Sequence, residues 1–280
     1  MPPPTADAPR TGLTIGSSDS SGGAGIQGDI KAMASVGCYA QTVLVGVTAQ
    51  NTTGVAARHT VPVDFVLTQL ETVLADIRVD AVKVGMTWSR EHIEAVGGRL
   101  AGLGVPVVID PVMVTAAGTG LSGAGIAAAV LAHLLPIAAV VTPNLIEARM
   151  LTGRAEAGPR ELAERLVGLG ARAAVVTCGG PAGGEWFADR GTSVAIARPG
   201  HETGAEHGAG CAHSALITGL LAHGLSVRDA VEQATALASD GVRDGLVGLG
   251  KGVHPVDLLG LAGPQRRSRI FHSNGGNHRS

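Results

Sequence analysis

The stretch HGAGCAHSALITGLL, residues 207–221, sets Gly208, Ala209 and Gly210 directly before Cys211 and an apolar helical run. Small residues leave backbone N–H groups unshielded at a helix start, where they and the helix dipole form an anion hole. Such a hole suits a phosphoryl group in transfer, because it stabilises charge that develops in the transition state. A cysteine at that position is expected to have a lowered pKa. The same residues also suit a tightly packed helix start with Cys211 as a small buried side chain. Two further stretches carry oxygen ligands. In DPVMV, Asp110 follows an apolar run and Pro111 bends the chain away. In TPNLIEA, Thr142 is expected to cap a helix with Pro143 at its first position. Asn144 and Glu147 then fall three apart on one helical face. Two oxygen-bearing side chains facing a pocket can order the waters around Mg²⁺, which prefers oxygen ligands. A capped, exposed helix is the alternative reading.

A glycine-rich loop near the start, TIGSSDSSGGAGIQGDIKAM, matches GxGxxG by letter at Gly23, Gly25 and Gly28. A dinucleotide fold needs that motif directly at a strand end and an acid closing the next strand. Here a Ser-rich loop follows Gly16, and the second strand ends near Gln50 with no acid. A nicotinamide or flavin site is therefore rejected. No GxxxxGK[ST] is present, which removes the classical P-loop. A glycine loop feeding a helix still brings backbone close to a ligand. Asp19 and Asp29 are the acidic candidates beside it, with Asp29 equally readable as an exposed helix residue.

These residues need strands and helices to hold them. Strand patterns are expected at Leu13–Gly16, Thr42–Thr48, Ala81–Val84, Val105–Ile109, Ala138–Val141 and Ala173–Thr177, with two short ones near 184–188 and 192–197. Helical patterns fall at 25–36, 63–76, 89–103, 123–134, 144–152, 159–169, 209–223 and 226–244. Such alternation implies an α/β fold with a mostly parallel sheet and helices on both faces. Ligands then sit outside the carboxyl ends of the strands. The expected organisation is one domain over 12–262, with a Pro-rich segment at 1–11 and a polar basic tail at 263–280 expected to be disordered. The net charge of −2 gives no electrostatic case for nucleic acid or an anionic membrane. Three widely spaced cysteines are neither a disulfide framework nor a zinc pattern, and there is no signal-peptide pattern or membrane-length apolar run. A cytoplasmic setting is expected.

The stretches SSDSSGGAGIQGDIKAM, TAQNTTGV, KVGM, DPVM, TPNLIEA and HGAGC occur in this order. Together they resemble the hydroxymethylpyrimidine/phosphomethylpyrimidine kinases of thiamine biosynthesis, in the ribokinase superfamily, over roughly residues 13–257. The resemblance implies a ribokinase-like three-layer sandwich and an ATP- and Mg²⁺-dependent phosphotransferase. It implies that Gln50 bonds the aminopyrimidine edge, that Met86 and Val112 sandwich the ring, and that Ala24, Thr48 and Asp29 shape its pocket. It matches Asn144 and Glu147 to a Mg²⁺ and phosphate motif, places Asp110 near the metal, and makes Gly208 to Cys211 the anion hole. Relatives in the superfamily carry an aspartate as base where Cys211 stands. The cysteine here is a base or a positioning group. A homodimer is common in the family.

Three departures from the family pattern stand out. Its Lys-Gly-Gly-His is replaced by Cys178, Gly179, Gly180 and Pro181, which removes a nucleotide-phosphate cation. Lys251 is a possible replacement, though a surface lysine is the plainer reading. The loop after DPVM, VTAAGTGLSGAG, lacks the usual acid. GCAHS replaces GCTLS, so His213 enters the first helical turn, where it either faces the nucleotide or, as expected, lies exposed. Pyridoxal or pyridoxine kinase on the same scaffold, or a non-catalytic pyrimidine or nucleotide sensor, are the alternatives.

Overall fold

The computed structural model describes residues 8–113, 125–179 and 184–263. They form a nine-stranded sheet in the order β3-β2-β1-β4-β5-β6-β7-β8-β9. The strands are β1 (Arg10–Asp19), β2 (Cys38–Asn51), β3 (Gly54–Thr60), β4 (Ala81–Val84), β5 (Val107–Ile109), β6 (Val140–Val141), β7 (Ala173–Thr177), β8 (Gly184–Asp189) and β9 (Ser193–Ala197). The six strands from β2 through β7 in that order run parallel. β3, β8 and β9 are antiparallel additions at the two edges.

Side-chain alternation along the strands divides the core in two. In β5, Val107 and Ile109 face one layer and Val108 the other. One layer holds α2 (Val63–Asp76), α3 (Arg90–Leu100), α4 (Ile126–Ala129), α5 (Leu145–Thr152) and α6 (Pro159–Gly168). Leu70, Ile93, Leu151 and Leu162 are buried there. The opposite layer holds α1 (Gly25–Ser35), α7 (Ala209–Ala222) and α8 (Val227–Arg243), through Met33, Leu216, Ile217 and Val231. Each such side chain contributes about 1.5–3 kcal/mol on burial. Helix α7 is buried all round from Ala212 to Ala222, as expected for a helix at the centre of its layer.

Most expected elements are present, and the differences have physical reasons. β1 begins at Arg10, where the Thr11 hydroxyl reaches the Arg78 carbonyl, so ordered structure starts inside the expected disordered segment 1–11. β3 was not expected, because its seven residues are exposed or half-buried and carry no apolar alternation. The expected helix 123–134 is α4 followed by a π-helical turn over Val130–Leu134. The true N-cap of α5 is Asn144, two residues after the expected Thr142, whose hydroxyl donates instead to the Ile109 carbonyl. Residues 1–7, 114–124, 180–183 and 264–280 lie outside the described residues. That range includes Gly180, the loop after DPVM and nearly all of the expected tail. Among the described residues, no helix is long and apolar enough to cross a membrane.

Candidate functional site

The chain leaves β1 for α1 in one layer and β4 for α3 in the other, which opens a crevice between the two strand ends. β1 sits between β2 and β4, so the chain order reverses there, and a ligand crevice is expected at the carboxyl ends. A register shift between Gly16 and Ser17 breaks the β1–β2 ladder just before that end. Beyond it, the chain carries Asp19 and the glycine loop over a cavity of about 600 Å³. The cavity is lined by Ala24, Asp29, Thr48, Gln50, Met86, Asp110, Val112, Asn144, Glu147 and Gly208 to Cys211. The sequence motifs therefore converge although nearly 190 residues separate the first from the last.

The floor is a buried ionic cluster centred on Lys83. Its Nζ donates to Asp29 Oδ1 at 2.5 Å, lies 3.7 Å from Asp110 Oδ2, and reaches the Cys211 carbonyl at 3.3 Å. The Thr14 hydroxyl donates to the second Asp29 oxygen, and the Ser214 hydroxyl donates to Asp110 Oδ2 at 2.7 Å. Asp29 is 2% exposed, which excludes the exposed-helix reading. Burial pushes the Asp29 carboxyl up, against the pull of Lys83. The lysine itself is held above its ordinary value. Its burial works against this, but the carboxylates of Asp29 and Asp110 outweigh it. Sequence reasoning quoted KVGM without seeing Lys83 as functional. The available signal was a charged residue inside a four-residue apolar strand.

The opposite wall is the start of α7. Gly208 is the N-cap with φ +82°, and an added Cβ would lie 2.0 Å from the Gly23 carbonyl oxygen. Gly25, at φ +57°, leaves 2.3 Å between such a Cβ and the Ser17 oxygen. Glycine at 208 lets the glycine loop touch the start of α7, and glycine at 25 lets the start of α1 press against the end of β1. His207 fastens that contact, with Nε2 2.9 Å from Asp19 Oδ2, and Asp19 also accepts from the Ser21 and Ala24 N–H groups. These bonds hold the Asp19 carboxyl below the usual range, although burial opposes them. His207 also escaped the sequence reading. A histidine just before a glycine helix start has no local signature.

Cys211 departs from expectation. Burial pushes its thiol up to about 12; Lys83 opposes this, Asp110 and Asp29 reinforce it, and a hydrogen bond from the Gly25 N–H opposes it. The helix-start rule is local, whereas desolvation beside two carboxylates comes from the fold. Asn144 and Glu147 form a capping box. The Glu147 N–H donates to Asn144 Oδ1, and the Asn144 N–H donates to Glu147 Oε2. Glu147 Oε1 accepts from the Met113 N–H, which ties the end of the DPVM stretch to α5. The motif thus has a structural task beside any ligand role, and Glu147 is 3% exposed rather than on an open helix face.

A second cavity, of about 430 Å³, lies beyond α7 and shares Thr177, Glu206, Ala209 and Gly210 with the first. Gly179 lines it, while exposed Cys178 is in the lining of neither cavity. His213 lines it as well, and is buried rather than exposed. Its Nε2 lies 3.2 Å from Thr235 Oγ1 and 3.3 Å from Glu185 Oε2. The cause is the all-round burial of α7, whose polar side would otherwise have faced solvent. Lys251 is exposed and lines neither cavity.

The sequence profile of the family described as phosphomethylpyrimidine kinase matches residues 19–257. The chain is 42% identical over 231 residues to the hydroxymethylpyrimidine/phosphomethylpyrimidine kinase of Rhizobium meliloti (strain 1021), covering 80% of this chain and 87% of that protein. Among solved structures, it resembles pyridoxal kinase from Staphylococcus aureus in complex with AMP-PCP and pyridoxal. The TM-score is 0.81 at 31% identity, over 90% of this chain and 94% of that one. It also resembles phosphomethylpyrimidine kinase from Clostridium difficile 630, with a TM-score of 0.71 at 30% identity over 80% and 96% of the two chains.

Proposed function

We propose, from the premise that this chain belongs to the phosphomethylpyrimidine kinase family, that it transfers the terminal phosphoryl group of ATP to the hydroxymethyl group of 4-amino-5-hydroxymethyl-2-methylpyrimidine, or to the phosphate of its monophosphate. The observation that carries this reading is the meeting of two cavities at the start of α7. One holds the residues suited to a flat heteroaromatic; the other leaves room for a donor; both share Ala209 and Gly210. The acceptor then lies in the first cavity. A flat ring needs apolar faces and a polar edge, which Met86, Val112 and the Gln50 amide supply. Ala24 and Thr48 complete that wall.

The donor set fits Mg²⁺. Asp110 directly follows β5 and Glu147 sits in the first turn of α5, both lining the first cavity, and Mg²⁺ takes one or two such carboxylates while keeping waters and substrate phosphates. Mg²⁺ bound there would neutralise charge on the transferring group. The chain's own contribution is orientation and electrostatics. The α7 start presents N–H groups to the transferred group, the glycine loop closes over it, and Lys83 keeps the floor carboxylates in place.

A thiol that burial holds well above its ordinary value stays protonated at pH 7. Phosphoryl transfer through a loose transition state relies on positioning more than on a strong base. Cys211 accordingly orients the acceptor hydroxyl and keeps its own proton, and the hydroxyl proton passes to an oxygen of the transferred phosphoryl group as the O–P bond forms and the bond to ADP breaks. Cys211→Ser is expected to hold kcat within about tenfold, less than the 10²–10⁴ loss of a general base. A wild-type rate rising tenfold per pH unit from 7 to 10, and flat in Cys211→Ser, would restore the thiolate base.

The test of function is ADP release with Mg-ATP against the pyrimidine alcohol, its monophosphate and pyridoxal. Turnover on either pyrimidine in preference to pyridoxal is the expected result. Strong preference for pyridoxal would favour the second reading, which the similarity to the Staphylococcus aureus pyridoxal kinase motivates. Ligand binding without turnover on all three would favour a sensor.

A further inference from the structure

We infer that Arg198 is the residue that grips the polyphosphate chain of the nucleotide donor, a role no lysine of either cavity fills. The inference rests on the kinase reading above only in naming the ligand. Among the described residues, the two cavities are lined by one lysine and one arginine. Lys83 is committed: it is 1% exposed and held by Asp29, Asp110 and the Cys211 carbonyl. Arg198 follows β9, lines the second cavity, and forms no ion pair or hydrogen bond among the described residues. Its Nε is buried and unpartnered, as is Nε2 of His201 in the same wall. Buried donors without partners are rare because each carries its full desolvation cost. The Arg198 Nε–H, joined by His201 Nε2 where that nitrogen carries the proton, leaves a donor in this cavity beside the α7 start open to an acceptor-rich group.

The neighbouring acids do not take this guanidinium. Glu185 is engaged by Thr235 at 2.6 Å and by His213, and no ion pair joins Arg198 to Glu202 or Glu206. The guanidinium also lies close enough to Cys178 to oppose the rise of its thiol, which burial and Glu185 drive. A planar fork of five donors matches phosphate oxygens bidentately, in a way that a point charge does not. Its position beyond Gly210, away from Gln50 and Met86, assigns it to donor rather than acceptor.

Binding of ATP, ADP and adenosine to the intact protein tests this directly, by calorimetry, in the wild type, Arg198→Gln and Arg198→Lys. Arg198→Gln is expected to weaken ATP and ADP at least tenfold while adenosine and the acceptor KM stay within twofold. Arg198→Lys, which keeps the charge and the stem, is expected to lose less than Arg198→Gln. Cys178→Lys added to Arg198→Gln is expected to restore part of the ATP affinity, because a lysine stem is long enough to carry a cation from the position next to Gly179 to the cavity that Gly179 lines. Equal weakening of adenosine and ATP, or no weakening of either, would overturn the assignment. Wild-type protein that binds ATP yet phosphorylates none of the three acceptors would sink the kinase reading, and Arg198 would still be judged by the ATP-to-adenosine contrast.

Discussion

Lys83→Met should destabilise the protein by about 3–5 kcal/mol, the usual cost of removing one partner from a buried ion pair. At roughly 2–4 °C per kcal/mol for a chain of this size, the melting temperature should fall by about 6–20 °C. The reason is arithmetic as much as chemistry. One ammonium faces two carboxylates, Asp29 at 2.5 Å and Asp110 at 3.7 Å, and all three side chains are at most 7% exposed. Without the ammonium, both carboxylates sit in a low-dielectric floor with only hydroxyl partners. The loss should also depend on pH. Burial already raises the Asp29 carboxyl, and the chief opposing influence is Lys83. In the variant Asp29 therefore binds its proton more tightly than in the unfolded chain. A folded state that binds more protons loses stability as pH rises. The gap between variant and wild type should widen from pH 5 to pH 8, measured by denaturant unfolding at both. Lys83→Met combined with Asp29→Asn should recover much of the loss, because both halves of the pair are then gone. An equal deficit at the two pH values would show that packing, and not the carboxylates, governs the site.

That cluster also shows where sequence reading stops. Residues that sit at strand ends or helix starts could be placed from local rules. Asp110 after an apolar run and Gly208 to Cys211 before one were found because their elements were legible, whereas Gln50 near the end of β2 came only from the family resemblance. β4, β7 and α2 have the bounds that alternation and helical spacing imply. What local rules miss is what several elements do together. Lys83 acquires meaning only when α1 brings Asp29 and β5 brings Asp110 beside it. The Cys211 thiol follows the burial of its surroundings and not its helix start. His213 is buried because α1, α8 and the sheet enclose α7, and the sequence carries the sign of it: apart from His213 itself, residues 212–222 hold only apolar or small side chains. β3 was invisible for the opposite reason. An exposed edge strand is specified by its partner β2 and not by its own alternation.

Gly208→Ala should cost the enzyme more than 10²-fold in kcat/KM, the effect of losing one donor of an oxyanion hole or more. Two penalties act at once. The residue holds φ +82°, where a side chain costs about 1–2 kcal/mol. Its new Cβ would also lie 2.0 Å from the Gly23 oxygen, a backbone atom that cannot swing aside. The glycine loop and the start of α7 must then separate, which strains the His207–Asp19 contact between them. The N–H groups of that turn lose their aim at the transferred phosphoryl group. Gly210→Ala separates aim from fold. A Cβ there meets nothing within 4 Å, so its melting temperature should match wild type. It would still intrude on the space shared by the two cavities, so turnover should fall, though less than for Gly208→Ala. Gly98→Ala, on α3 with open space around it, is the control and should leave ADP release unchanged. The decisive comparison is turnover against melting temperature across the three variants. If Gly208→Ala loses stability but keeps its rate per folded molecule, the glycine serves only the backbone turn and the anion hole lies elsewhere. If Gly210→Ala loses rate at full stability, the junction of the two cavities is where the phosphoryl group crosses.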